Sequence, residues 1–500
     1  MKRGAAAAPR RGWLLCVALF ALAGCASVGP DFKLPAPPAA TGYLAPGDSP
    51  ANERDTDATP TQTLALGASV ATDWWTLFCS PALDDLVRQA IAGSQTLAAA
   101  KARLAQSKEA LAAASSARYP QVGVNASATH ERLSATSFGL QPGVFPLPPN
   151  FNLYQVGTSA TYDPDIFGST RRRIEHQGAL ADFQRYEFDA AYLALTGNTV
   201  AQAIQVAALR AQLKAVEELQ DIDRQNLTLA RKQRQVGTLR DADVVAAEGQ
   251  LAATQTLAPG IAQQISVTRH SLAVLVGRAA GEWSPLDFDL STLTLPRWLP
   301  LSLPSALVHQ RPDILAAEAQ LRAASARIGV ATAQLYPDVT LSASFAGTAL
   351  VPGQLFNPAG LIWSIAAGLA QPVFDGGMRE AQRRAALADF KATAADYQQT
   401  VLQAFAQVAD ILQAFGHDAQ LLAAQTRALA AASESVRLQR ISYDRGASGV
   451  LTLLDAQRQY QQALLGFVRA QSRRYLDTVE LQVAMGGGLG NAAAATVGTP

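Results

Sequence analysis

Residues 119–129 read YPQVGVNASAT, and residues 336–345 return to the theme as YPDVTLSASF, 217 positions later. Proline has no amide to give a helix or a central strand, so each Tyr-Pro closes the alanine-rich helical stretch before it. Beyond the proline one apolar residue alternates with one small polar residue, the period of a strand. Val122, Val124, Ala126 and Ala128 fall on one face, and Gln121, Gly123, Asn125, Ser127 and Thr129 on the other. In the second copy Val339, Leu341, Ala343 and Phe345 oppose Thr340, Ser342 and Ser344. A strand with one oily and one hydrophilic face fits a wall between lipid and water. A single half-buried strand of a soluble sandwich would alternate in the same way.

Each strand has a partner. After SFGLQPGVFPLPPN (137–150), Tyr154, Val156, Ala160 and Tyr162 alternate with Gln155, Gly157, Ser159 and Thr161. After GTALVPGQLFNPAG (347–360), Trp363, Ile365, Ala367 and Leu369 alternate with Ser364, Ala366 and Gly368. Two hairpins result, with no further sheet to cover their oily face. In a bilayer an open sheet edge would leave backbone amides unpaired at several kcal/mol each, so the sheet must close. Four strands are fewer than the roughly eight of the smallest membrane barrels, so closure needs several subunits.

The rest of the chain is helical. One stretch runs from about Thr170 to Val236; 67 residues at about 1.5 Å each span roughly 100 Å. Within it Phe183, Tyr186, Ala190, Leu193, Gly197, Val200, Ile204 and Ala207 are spaced alternately 3 and 4, the seam of a coiled coil. A second stretch, Gly377 to Asp444, has the same seam at Leu387, Phe390, Ala394, Tyr397, Val401, Ala404, Val408, Ile411 and Phe415. Glycine turns close both, QVGTLRDAD at 235–243 and DRGASG at 444–449. Further helices are expected over about 81–117, 241–276 and up to 484. SQTLAAAKARLAQSKEALAAASSARYP aligns without gaps on RPDILAAEAQLRAASARIGVATAQLYP. The chain is thus a tandem duplication, each copy being helix, hairpin, long helix, turn, helix.

The N-terminus, MKRGAAAAPRRGWLLCVALFALAGC, has the layout of a secretory signal, and its apolar run from Trp13 to Ala23 is too short to span a membrane. It ends in Leu22-Ala23-Gly24-Cys25, which resembles the lipobox of bacterial lipoproteins: cleavage before Cys25, then a diacylglycerol and an N-acyl chain on it. An ordinary signal peptide with an incidental cysteine is the alternative. Ala26, rather than aspartate, points by the lipoprotein sorting rule to the outer membrane. Removing residues 1–24 takes away Lys2, Arg3, Arg10 and Arg11 and no acid, which turns a net charge of +1 into −3. Cys16 leaves with the signal and Cys79 stands alone, so no disulfide within the chain is expected.

Lys+Arg 41 against Asp+Glu 40 offers no basic surface for nucleic acid. The five histidines show no ligand spacing and no Walker or nucleophile-elbow motif is present, so no metal, cofactor or catalytic residue is expected. Trp74, Trp75 and Phe78 of DWWTLFCSPALDDLV are expected to dock the entry of the chain onto its body. Arg171–Arg173 read either as headgroup contacts at the inner rim or as a solvated cluster, and GGGLG at 486–490 reads as a flexible tail.

CASVGPDF after the lipobox, WWTLFCSPALDDLV, RPDILAAEAQLRAA, YPDVTLSASF, QPVFDGG and LTLLDAQRQY together resemble the outer-membrane factors of tripartite efflux systems, the TolC-like lipoprotein branch partnered with resistance-nodulation-division pumps. The resemblance implies a membrane α+β fold, a homotrimer with a 12-stranded outer-membrane β-barrel continued by a 12-helix periplasmic α-barrel. It also implies a division into signal peptide 1–24, lipidated tether and belt segment 25–80, first repeat 81–276, equatorial belt connection 277–310, second repeat 311–484 and tail 485–500. It nominates Leu451 and Asp455 as constricting rings of a periplasmic gate, with Arg458 and Tyr443 in the bonds that hold it closed. Leu451, Asp455 and Arg458 do share one helical face. Val236, Gly237 and Thr238, with Gly446, Ala447, Ser448 and Gly449, look like the tips that meet a periplasmic adaptor protein. The implied function is a passive outer-membrane exit duct for drugs or other small toxic compounds, driven by an inner-membrane pump. Type I protein secretion, metal efflux and a pore-less lipid-anchored coiled-coil scaffold are the alternatives.

Overall fold

The computed structural model describes residues 28–38, 40, 42–44, 62–68, 70–132, 150–285 and 288–488. Cys25, the signal segment, most of the first hairpin loop and residues 489–500 lie outside the described residues. In chain order the elements are β1 (Thr63–Leu66), a 3-10 turn (Trp74–Phe78), α1 (Pro81–Gly93), α2 (Gln95–Ser116), β2 (Gln121–Glu131), β3 (Phe151–Tyr162), α3 (Ser169–Gln235), α4 (Asp241–Gln255) and α5 (Leu257–Leu275). Then come β4 (Trp298–Leu301), α6 (Pro304–Leu307), α7 (Pro312–Ala333), β5 (Asp338–Ala349), β6 (Leu361–Ala370), α8 (Met378–Asp444) and α9 (Val450–Ala484). The duplication is plain in this order, and α3 and α8 are each 67 residues long.

The chain divides into two compact units. One combines the N-terminal segment up to Pro35 with Ala105–Phe183 and Glu318–Ala395. It holds the sheet β2-β3-β5-β6, antiparallel throughout, with both outer strands left unpaired on one side among the described residues. Register sorts the residues by face: Val124 stands opposite Thr158, Thr158 opposite Phe345, and Phe345 opposite Trp363. On that face Val122, Val124, Trp363, Ile365 and Leu369 are 71–79% exposed. The other face is mostly small and polar, with the hydroxyls of Ser344 and Ser364 2.8 Å apart, and carries Phe151, Leu153 and Ile362 near the hairpin loops.

Beside the sheet the N-terminal segment is strapped down. Val28 N donates to Phe167 O at 3.2 Å. Arg172 reaches Asp31 at 3.0 Å, Glu175 at 2.8 Å and the Val28 and Gly29 carbonyls at 3.4 and 3.3 Å. Arg322 lies 5.6 Å over the Phe32 ring. The expectation for the arginine run is therefore corrected at Arg172, which is buried and serves as the peg for the VGPDF stretch. Five fixed donors on a planar head let one side chain hold several acceptors at once.

The second unit combines Ala36–Leu104, Gln184–Ala317 and Asp396–Pro500. Its main core takes in Trp74, Trp75, Phe78, Leu83, Val200, Ile204, Leu272, Val408, Ile411 and Tyr475. Trp75 Nε1 donates to Asp84 at 2.9 Å, and Phe78 stacks on Tyr475 at 6.4 Å, so the aromatic entry is docked as expected. β1 pairs in parallel with β4, and Gln62 donates to Thr478 at 3.1 Å, which joins the N-terminal, interhalf and C-terminal stretches.

Three further expectations need correcting. The first helix is broken at Ser94, whose extended backbone and side chain cap the next helix at Leu97 N, 3.4 Å away. The break lets Gly93 approach the end of α5 so closely that a Cβ there would lie 2.1 Å from the Val276 carbonyl oxygen. The 241–276 helix is interrupted at Thr256, because Pro259 has no amide to bond back to Gln255. Finally, residues 485–488 are buried rather than tail-like: Gly487 N bonds Gln482 O at 3.1 Å and its Cα has no room for a Cβ beside Leu193.

Candidate functional site

Both helical hairpins of the second unit end in the same capping motif. Gly237 N donates to Arg234 O at 2.9 Å and Thr238 N to Gln233 O at 3.0 Å; Gly446 N and Ala447 N repeat this with Tyr443 O and Ser442 O. The pattern satisfies the last carbonyls of each long helix and requires a left-handed residue. Gly237 and Gly446 supply it, with φ of +77° and +72°. Val236, Gly237, Thr238, Gly446, Ala447 and Gly449 are all exposed, and Ser448 is half-buried. Arg240 pairs with Asp243 at 3.3 Å and Arg234 with Asp241, so the first tip is a salt-bridged one.

Above the tips the four helices meet. Leu227 and Ala230 of α3, Val244 and Ala247 of α4, Tyr443 of α8, and Val450, Leu453 and Leu454 of α9 form one apolar cluster. Tyr443 is buried there and its hydroxyl donates to Gln233 Oε1 of α3, a bond between the two hairpins. Burial raises the Tyr443 pKa, so the phenol stays protonated and keeps donating at neutral pH.

The other nominated residues lie on the opposite face of α9. Leu451 is 54% exposed, an apolar side chain that the described residues leave more than half uncovered. Asp455 accepts from Gln459 at 2.9 Å and sits 3.7 Å from Arg458, both charges more than half exposed. Arg458 therefore bonds along its own helix, not across to another, and only Tyr443 of the pair links two helices. An exposed i,i+3 pair contributes a few tenths of a kcal/mol, about the size of the thermal energy.

Just above the cluster lies a polar layer that none of the sequence motifs nominates. Asn226 Nδ2 donates to Gln457 at 2.8 Å, Thr254 Oγ1 to Asp223 at 2.6 Å, and Gln461 to Thr254 at 3.4 Å. The chain does carry a signal for it. Leu209, Gln212, Val216, Leu219, Asp223, Asn226 and Ala230 continue the 3,4 spacing on a second face of α3, and all are buried. Cys79, an exposed free thiol in left-handed conformation, closes the 3-10 turn and touches none of these groups.

A sheet with a bare apolar face, and paired helical hairpins capped by glycine, define the class of outer-membrane channel subunits. The family model described as outer membrane efflux protein matches residues 86–278 and again 303–487, and the chain belongs to that family. Among its relatives, the pyoverdine export outer membrane protein OpmQ of Pseudomonas aeruginosa is 30% identical over 450 residues, covering 88% of this chain and 94% of that one. The probable outer membrane lipoprotein SilC of Salmonella typhimurium is 24% identical over 478 residues, covering 94% and 97%. Among solved structures, the outer-membrane channel OprN superposes with a TM-score of 0.82 at 28% identity, covering 93% of this chain and 99% of that one.

Proposed function

We propose that three copies of this chain form the exit duct of a tripartite efflux system, each giving four strands to a closed 12-stranded barrel and its helices to a 12-helix wall. The observation that carries this is the β2-β3-β5-β6 sheet, whose apolar face is bare and whose two edges are open. Exposed strand edges in hydrocarbon are untenable, so neighbouring copies pair β6 with β2. Among the described residues no helix is long and apolar enough to cross a membrane, which leaves the strands as the spanning elements.

The lipid anchor fits the same level. Cys25 is three residues from Val28, at most about 10 Å of chain, and Val28 is bonded to Phe167 close to the end of β3. The name of SilC as a lipoprotein supports acylation of Cys25. The name of OpmQ, for pyoverdine export, supports a small-molecule cargo. The segment around 277–310 forms the belt with β1, and the tips at Val236–Thr238 and Gly446–Gly449 meet the periplasmic adaptor, while the inner-membrane pump supplies the energy. Leu451 and Asp455, exposed on one face of α9, line the closed end as rings. No bond chemistry is required of the protein.

Native mass spectrometry of the detergent-solubilised protein is expected to give a trimer, and a stable monomer would sink the barrel. In planar bilayers the wild type is expected to conduct poorly and Asp455→Ala to conduct more. A lumen blocked in both would instead support a scaffold without a pore.

A further inference from the structure

Between α3, α4, α8 and α9 lies a cavity of about 360 Å³, within the size range of small-molecule sites. Its floor is buried Leu219, Asp223, Gln457 and Gln461, its walls include Ile222, Val436 and Tyr460, and Arg437 stands at its exposed rim. Asp223 is 5% exposed and receives one hydrogen bond, from Thr254 Oγ1 at 2.6 Å. No cationic side chain pairs with it among the described residues. The two arginines of the cavity are already engaged: Arg437 grips Glu434 with bonds of 2.8 and 2.6 Å, and Arg440 stands 3.8 Å from Asp444. One turn along α3, beyond the cavity lining, Asn226 gives one amide hydrogen to Gln457 and leaves Oδ1 buried without a donor.

The cavity therefore holds one buried carboxylate that no cation among the described residues meets, beside the apolar side chains of Leu219, Ile222 and Val436. A buried carboxylate without a cation is costly, and a ligand that brings one relieves the cost. An alkylammonium has three donors on a compact positive head and an apolar chain for Leu219, Ile222 and Val436. We propose that this cavity is a binding site for cationic amphiphiles, primary amines with a medium-length apolar chain, seated in the helical wall beside the tip rather than in the lumen. Leu227 and Tyr443 of the closing cluster lie one turn from Asp223 and Arg440, so an occupant ties α3 to α9 beside the residues that close the tip. This goes beyond the duct function, since binding here needs neither conduction nor a partner protein.

The test is saturable binding to the full-length protein in non-ionic detergent at pH 8, followed by calorimetry and thermal shift, with octylamine, octan-1-ol and Mg²⁺ as separate probes. Octylamine is expected to bind and stabilise the wild type, octanol and Mg²⁺ to do neither. Asp223→Asn, which keeps the size and the Thr254 bond, is expected to weaken octylamine at least tenfold. Val436→Trp, which fills the cavity and leaves the carboxylate, is expected to abolish it, and serves if the first variant fails to fold. Equal affinity in either folded variant overturns the site, as does stabilisation by octanol or Mg²⁺ matching that by octylamine, or no saturable binding at all.

Discussion

Asp477 is fully buried on α9, and the Arg473 guanidinium 3.2 Å away is shared with Asp418 at 3.3 Å, while Glu480 stands 3.8 Å off. Burial first, and then the Asp418 charge, push the Asp477 carboxyl up to about 7. The folded protein thus holds this proton more tightly than the unfolded chain does. The resulting stabilisation is complete below pH 4 and is lost as pH rises through about 7. Melting temperature is expected to fall between pH 5 and pH 8, and Asp477→Asn to flatten that slope and melt higher at pH 8. A flat wild-type profile would contradict the assignment. Arg172 makes a second residue-scale case. Arg172→Ala is expected to cost about 2 kcal/mol of charge-assisted bonding and to open residues 28–35 to limited proteolysis. Lysine, a point donor in place of a fork, should not restore protection.

Among the elements, the strands give the sharpest contrast. Ile365 and Ser364 are neighbours on β6 that face opposite sides of the sheet. Ile365→Arg is expected to cost about 2–4 kcal/mol if it sits near the bilayer midplane and to abolish the assembled form on unheated gels. Ser364→Arg is expected to assemble and to alter single-channel conductance. The reverse pattern would turn the sheet inside out. The helices show how far spacing can be trusted. Tyr397, Val401, Ala404, Val408, Ile411 and Phe415 are legible as a seam, and all are buried. The polar second face of α3 is invisible to a seam defined by apolar residues, because Gln212, Asp223 and Asn226 occupy seam positions by bonding to partners on other helices or facing a cavity.

For the whole molecule, closure of the tip is the property to be tested. The Tyr443–Gln233 bond links two hairpins, while the Asp455–Arg458 pair stays on one helix. Tyr443→Phe is therefore expected to remove about 1 kcal/mol from the closed arrangement and to raise open probability several-fold in planar bilayers. Arg458→Ala is expected to change it less. Equal effects would show that Arg458 bonds across subunits of the proposed trimer.

The sequence by itself determined the strands and their two faces, the long helices, the glycine turns and the duplication, because each is written as a short-range period or as a backbone requirement at one residue. It could not show that Arg172 pegs the N-terminal stretch, that Ser94 breaks a helix against Val276, or that residues 485–488 pack beside Leu193. Nor could it show that Asp223 lies in a cavity without a cation. Those facts depend on which distant side chains arrive at the same place, and spacing along one segment carries no record of its partner.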